Sequence, residues 1–540
     1  MLRLTQANSL TAAIACYAAT ALAIGFAWWW LGAPLRSPPS PLAAGGKLSC
    51  VSYAPFRGDQ DPLVETTHVD ALQINEDLTL LSRYTDCIRT YSIENGLDQI
   101  PAIAQRHGIK VMQGVWLSNK REKNRHQVET VVALAKTFPN TISAVIVGNE
   151  VLLRGDLSVG DLTTIIHEVK AQVAVPVTYA DVWEFWLRYR DLQSAVDFVT
   201  IHILPYWEDF PLAASLAAAH VDAIRKQVVA AIPNKEIFIG EVGWPSAGRM
   251  REAALPSPSN QARVIGETMT LAQRESFRVN VIEAFNQPWK RWLEGATGGY
   301  WGIFDHATAA PKFPFSGIVS DHPYWLLQAF AGMLLAAIVF AGAWWGAGGK
   351  PAVLHLWPRI AILAFAPAAL FGWTLERIPI DSFSFGTWLR AVAFAATAAI
   401  ATAACAAACA AGRSQPAFTG VLGRGRRPRD AIGVLVAVSL IALALLSIET
   451  ALALVFDPRY RDLPFAPQSA GVMAFLMLMV STPGPAGRRA AAETLAAAVL
   501  AVSAVYIAIN ETFANWQALW LCGGFIGLAV ILLRARDAPD

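Results

Sequence analysis

The stretch IFIGEVGWPS, residues 237–246, decides the fold. Its first six residues, Ile237–Val242, form a short apolar run suited to a buried strand, and the Gly-Trp-Pro-Ser break after it stops any regular element. A carboxylate, Glu241, stands near the C-terminal end of the run. Working outward, the same kind of run recurs at Leu48–Tyr53, Cys87–Tyr91, Lys110–Val115, Ala144–Val147, Pro176–Tyr179, Phe198–Ile203 and Val279–Phe285. Helical patterns lie between them at Leu97–Arg106, Arg125–Thr137, Val159–Gln172, Leu212–Ala230 and Gln261–Gln273. Eight alternating β/α units within about 250 residues predict an α/β fold, a (β/α)8 TIM barrel. A doubly wound sheet is the competitor, but no GxGxxG or P-loop follows the first run.

In such a barrel the working residues stand at the C-terminal ends of the strands. The eight ends carry Ser52, Tyr53 and Arg57; Arg89, Tyr91 and Ser92; Trp116; Asn149 and Glu150; Tyr179, Asp181 and Trp183; His202, Tyr206 and Trp207; Glu241 and Trp244; and Glu283, Asn286, Gln287, Trp289 and Lys290. Aromatic faces stack on the C–H faces of sugar rings, and carboxylates and amides bind hydroxyls. A nucleotide site would instead need glycine-rich backbone and basic residues. The rim therefore reads as a carbohydrate site, with Tyr53, Arg89, Tyr91, Asn149, Tyr179, Trp183, His202, Tyr206, Trp244, Gln287 and Lys290 as candidate substrate-binding residues. Core packing is the alternative for Trp183, Trp207, Trp244 and Trp289.

Glycoside hydrolysis needs two carboxyl groups flanking one glycosidic oxygen, one protonated and one ionised. Glu150 after the fourth run and Glu241 at the seventh meet that need from opposite sides of one barrel mouth. Taken singly, Glu150 is an ordinary acid at a helix start and Glu241 an ordinary ion-pair partner; together, with Asn149 beside Glu150, they form a catalytic pair. Asn149 is placed to donate to a sugar 2-hydroxyl, a contact that strengthens in the transition state. No cofactor is needed. With no CxxC or His/Cys ligand spacing, no metal is expected either.

The motifs VIVGNEV (145–151) and IFIGEVGWPS (237–246) resemble the acid/base and nucleophile motifs of glycoside hydrolase family 17. CIRTYS (87–92), EAFNQPWK (283–290) and GGYWGIFD (298–305) follow the same family in order, so the resemblance spans about residues 48–306. It implies a TIM barrel and a retaining β-1,3-glucanase or transglycosylase, with Glu150 as general acid/base, Glu241 as nucleophile and Lys290 as the basic residue of the eighth-strand motif. One departure stands out: where many members have Asp-Glu before Pro-Trp-Lys, this chain has Asn286-Gln287. Fewer negative charges beside Glu241 ease its ionisation.

Composition shows that the barrel is only part of the chain. Of 540 residues, 54% are hydrophobic and 16% charged, against about 25% charged in soluble domains; mean hydropathy is +0.39. Residues 47–322 carry 26 Lys/Arg against 31 Asp/Glu, net −5, whereas residues 323–540 carry 15 against 10, net +5. The total of +2 gives no argument for nucleic acid, and none is expected as a partner.

The 23 uncharged residues Ser9–Leu31 suffice for a bilayer span, which takes about 20 residues. They read as an uncleaved anchor, with cleavage near Ala43 and Ala44 as the alternative. The Pro-rich Leu35–Pro41 then forms a stiff spacer. Further candidate spans lie at about 324–346, 354–374, 388–411, 431–455, 469–483, 490–510 and 516–533, the fifth short and containing Pro483. One set of alternate loops holds Lys350, Arg359, Arg413, Arg424, Arg426, Arg427, Arg429, Arg488, Arg489, Arg534 and Arg536. The other set holds Glu376, Arg377, Asp381, Asp457, Arg459, Arg461, Asp462 and Glu511.

The positive-inside rule puts the first set in the cytoplasm. The resulting domains are an anchor and spacer at 1–46, an extracytoplasmic glycosidase-like barrel at 47–322, and a transmembrane domain of about seven helices at 323–540. That architecture resembles bacterial membrane-bound β-(1→6)-glucan synthase proteins. It implies a multi-pass protein of the bacterial inner membrane, with the barrel facing the periplasm or exterior. The ionisable residues Glu449 and Glu493 within spans, and His355 and Arg390 at their edges, are too few and too peripheral for a transport path. Cys16, Cys405, Cys409 and Cys522 lie in apolar runs; Cys50 and Cys87 are either bridged, if their strands are neighbours, or free and buried.

The expected partners are β-glucan, the lipid bilayer and a glucan-synthesis or export protein. The leading reading is a retaining β-glucosyltransferase that remodels β-1,3-glucan and forms β-1,6 linkages. The rivals are a hydrolytic β-1,3-glucanase and a non-catalytic glucan-binding or export-associated protein.

Overall fold

A computed structural model describes residues 2–38, 40–306, 308–313, 317–348, 354–418, 430–482 and 488–537. The chain divides into two compact units, Pro34–Val319 and Met1–Ala33 with Ser320–Asp540.

In the first unit, eight parallel strands close into a barrel in chain order: β1 Cys50–Ser52, β2 Cys87–Arg89, β3 Lys110–Val115, β4 Ile142–Asn149, β5 Val177–Val182, β6 Val199–His202, β7 Ile237–Val242 and β8 Val279–Val281. The barrel closes where Val51 pairs with Val281. The α/β barrel expected from the alternating runs is therefore the fold. Helices Ala71–Leu81, Ile100–His107, Arg121–Thr137, Val159–Lys170, Ala214–Ala231 and Pro258–Glu275 wrap it. Their starts follow from sequence: Asp70, Ser158 and Ser257 each accept a backbone N–H of the first turn, and Pro258 supplies a preset φ.

Alternation along the strands sorts the side chains. Val51, Ile88, Val111, Val145 and Ile239 belong to the large apolar core, while Cys50, Met112, Ala144, Ile146, Phe198 and Phe238 form a smaller, separate one. Cys50 and Cys87 occupy neighbouring strands with Cα atoms 4.5 Å apart, and they are joined by a disulfide. Nearer the strand ends the buried residues turn polar, with Ser52, Arg89, Asn149, His202 and Glu241.

Two of the strand ends are shaped by non-glycine residues in a left-handed conformation. β4 continues to Asn149 with Gly148 at φ 94° inside it, and then turns at Glu150 (φ 53°). β8 stops at Val281 because Glu283 also adopts a left-handed conformation, φ 51°. Non-glycine residues rarely stay there, and such strain gathers at functional sites.

Among the described residues of the second unit, seven helices are long and apolar enough to cross a membrane: Ser9–Leu31, Trp325–Gly346, Leu356–Asp381, Phe385–Ala411, Ala431–Phe456, Ala491–Asn510 and Trp516–Arg534. The shorter helix Phe465–Ser481 replaces the run expected at 469–483 and ends before Pro483. One expectation needs correction. Glu376, Arg377 and Asp381 are not loop residues, because Leu356–Asp381 runs seven residues past 374 with Arg377 and Asp381 paired one turn apart. Arg390 bonds Glu449 at 2.7 Å, and buried Glu493 accepts the Phe418 N–H at 2.6 Å. His355 precedes the first turn of its helix. Lys350, Arg424, Arg426, Arg427 and Arg429 lie outside the described residues.

Candidate active site at the barrel mouth

The centre of the mouth is built from four strand ends. Arg89, on β2, is fully buried and reaches across the barrel. Its Nη1 donates to Glu241 Oε1 at 2.9 Å and to the Gly240 carbonyl at 2.7 Å. Its Nη2 donates to Asn149 Oδ1 at 2.5 Å and lies 3.2 Å from His202 Nε2. Tyr91 adds a second bond to Glu241 Oε1, also at 2.9 Å. Glu241 is thus an almost buried carboxylate held by a guanidinium and a phenol, both charge-stabilising donors.

The guanidinium also decides the state of its neighbours. Arginine has no acceptor, so His202 Nε2 must be the unprotonated nitrogen facing it. The proton of His202 therefore sits on Nδ1 and is donated to Glu150 Oε1 at 2.7 Å. By the same logic Asn149 turns its oxygen to Arg89 and leaves its NH2 as the donor side. Burial alone would raise the Glu150 carboxyl. The hydrogen bond from His202, with the charges of Arg89 and Lys290 behind it, outweighs this and holds Glu150 below the ordinary carboxylate value. Burial and the charge of Glu241 push the Tyr91 phenol up, so Tyr91 remains a donor.

Polar atoms of Glu150, His202 and Glu241 all lie within 4.8 Å of one another. Such a trio has the composition of a metal site. However, the Arg89 guanidinium already stands within hydrogen-bond distance of both His202 Nε2 and Glu241 Oε1, and it would repel a divalent cation. An oxygen of Glu150 and an oxygen of Glu241 therefore approach within 4.8 Å of each other across the mouth.

Beneath Glu150, Asp181 and Tyr179 brace the strained turn. Tyr179 donates to Asp181 and accepts the Leu152 N–H at 3.0 Å, and Asp181 takes the Val182 N–H at 2.8 Å. Burial pushes the Asp181 carboxyl up to about 6. On the β8 side Lys290 pairs with buried Glu283 at 2.5 Å. Burial would lower the Lys290 ammonium, but Glu283 and Glu294 reverse this and keep it charged.

Of the residues singled out in the sequence, the structure brings together Arg89, Tyr91, Asn149, Glu150, His202 and Glu241, with Tyr179 behind them. Others are engaged elsewhere. Buried Tyr53 donates to Asp77 at 2.9 Å. Trp183 is half-buried, its indole 3.3 Å from Glu208. Tyr206 and Trp244 are wholly buried in a separate cluster with Trp301. Gln287 is buried, donating to the Ala54 carbonyl at 2.8 Å and accepting from Trp289 at 2.9 Å. The neighbouring amide, Asn286, accepts from Lys312 at 2.6 Å. Asp181 was visible at a strand end without a motif-level signal, and Glu283 opened the eighth-strand motif without an assigned role; burial is what distinguishes both.

A parallel barrel presenting two close glutamates at the C-terminal ends of β4 and β7 is the arrangement of a glycosidase. Residues 50–302 match the BtgE/BtgC glycoside hydrolase domain, in line with the family 17 resemblance of the strand-end motifs. The chain is a glycosidase or transglycosylase. It is 24% identical to a glucan 1,3-beta-glucosidase of Candida albicans over 257 residues, 44% of this chain and 83% of that protein. It is 28% identical to a glucan 1,3-beta-glucosidase of Schizosaccharomyces pombe over 234 residues, 40% of this chain and 72% of that one. Among solved structures, the family 17 β-1,3-glucanosyltransferase of Rhizomucor miehei aligns with a TM-score of 0.44 at 22% identity, covering 50% of this chain and 97% of that one.

Proposed function

We propose that the chain is a membrane-anchored, retaining β-glucan transglycosylase that remodels β-1,3-glucan and forms β-1,6 linkages. The observation that carries this reading is the close approach of Glu150 and Glu241, with Arg89 and Tyr91 holding Glu241 as a carboxylate. The substrate class is supported by the names of the fungal relatives, and the membrane anchor by the seven apolar helices. The charge bias of the loops supports a barrel outside the cytoplasmic membrane.

In the proposed reaction, Glu241 attacks the anomeric carbon as the glycosidic bond breaks, and Glu150 gives its proton to the departing oxygen. A glycosyl ester on Glu241 results. Glu150, now ionised, takes a proton from the acceptor hydroxyl, which attacks the anomeric carbon and releases Glu241. Transfer results when the acceptor is a glucan hydroxyl, hydrolysis when it is water. The hydrolytic reading has its own support in the glucosidase names of the relatives.

Incubation of the full-length protein with laminari-oligosaccharides, followed by linkage analysis, tests the proposal. Longer or branched products are expected. Shorter products alone would replace the proposal with a β-1,3-glucanase, and binding without turnover would overturn both enzymatic readings.

A further inference from the structure

The helical unit contains a cavity of about 100 Å³ whose walls differ from a lipid-facing surface. It lies where the last turns of Leu356–Asp381 and the first turns of Phe385–Ala411 meet the segment 460–467. Arg377, Asp381, Arg390, Arg461 and Asp462 reach it, beside the rings of Phe394 and Phe465. Arg377 donates to both carboxylate oxygens of Asp381, at 3.1 and 2.7 Å. Arg390 donates to Glu449 at 2.7 Å and to Thr450 at 2.9 Å, and Arg461 pairs with Asp457 at 2.9 Å.

The pairing pattern selects the ligand. A phosphate or other anion gains from cations whose charge is not already neutralised, and here it would also face Asp381 and Asp462. An acyl chain would strip water from five ionic groups without returning a hydrogen bond. A neutral polyol suits the cavity, since its hydroxyls donate to carboxylate oxygens and accept from guanidinium N–H groups. Its C–H faces lie against aromatic rings. We propose that this cavity is a saccharide site, distinct from the barrel mouth, that holds a segment of β-glucan. That identity of the sugar rests on the glucan reading above. The residues that form the site belong to the loop set and helix ends that charge bias assigns to the outer side of the membrane.

Full-length protein carrying Glu241→Gln, in lipid nanodiscs, is titrated calorimetrically with laminaripentaose. Two sites per chain are expected, falling to one when Ala391→Trp places an indole in the cavity. A measurement on the otherwise unaltered chain guards against a variant that does not fold: a diazirine-bearing laminari-oligosaccharide should crosslink peptides within 374–394 or 460–467. A single site, or crosslinks confined to residues 50–302, overturns the proposal. So does a cavity crosslink displaced by phosphatidylglycerol and not by excess laminaripentaose, which would identify a lipid headgroup site. Turnover by the unmutated chain with only one binding site refutes this inference alone. Cavity crosslinks without turnover refute the barrel's assigned activity alone.

Discussion

Replacing His202 with phenylalanine removes a side-chain donor to Glu150, while a planar ring still fills the buried space. In the intact protein that donor is the Nδ1–H, 2.7 Å from Glu150 Oε1, with its tautomer set by Arg89. A hydrogen bond to a charged group contributes about 1.5–3 kcal/mol. Because that bond favours the ionised form, its loss should raise the Glu150 pKa. Glu150 retains 24% side-chain exposure, so water replaces part of the bond and the lower end of that energy range is expected. The sign follows from the proposed role. A general acid works protonated, its pKa in the intact protein is depressed, and raising it extends the active range toward higher pH. The profile of kcat/KM against pH, which reports the free enzyme, should therefore keep its acidic limb and move its basic limb upward. Glu241 keeps Arg89 and Tyr91 as donors in this variant. A basic limb that stays in place, in a variant whose melting temperature and acidic limb are unchanged, refutes either the tautomer or the assignment of Glu150.

Two further outcomes follow from the same geometry. Glu241→Ala should abolish turnover, and added azide should restore it with an α-glycosyl azide as product, identified by NMR; activity equal to that of the intact protein would remove Glu241 as the nucleophile. Reducing the Cys50–Cys87 bridge, which spans 37 residues, should lower stability by about 3–4 kcal/mol through the freed loop entropy. Thermal melts of the full-length protein with and without reductant measure this, and unchanged melting would contradict it.

The barrel was legible because its signal is local. A short, mostly apolar run, Ile237–Val242, with Glu241 next to its end specifies a strand and a position on its rim, and the same reading placed Asn149 and Glu150 at the end of β4. The family 17 resemblance rests on such strand-end motifs and needs no knowledge of distant contacts. Roles on the rim were less legible. Trp244 follows its strand as closely as Tyr91 follows β2, yet it packs with Tyr206 and Trp301 in a closed aromatic cluster. Gln287 sits in a recognisable motif, but its amide ties two loops of the chain together. A one-dimensional list of polar and aromatic strand ends does not say which way a loop folds back.

The sequence alone determined the alternation of strands and helices, the strand-end positions of the two glutamates, and the split into a net −5 segment and an apolar, net +5 one. Tertiary structure decided what joins them. Arg89 and Glu241 stand 152 residues apart in the chain, and only barrel closure lets one guanidinium bond Glu241, Asn149 and His202 together. The proton on His202 and the depressed Glu150 carboxyl follow from that closure, and the Cys50–Cys87 bridge from the pairing of β1 with β2. Hydrogen-bond direction and charge coupling act over a few ångströms in space, whatever the separation along the chain.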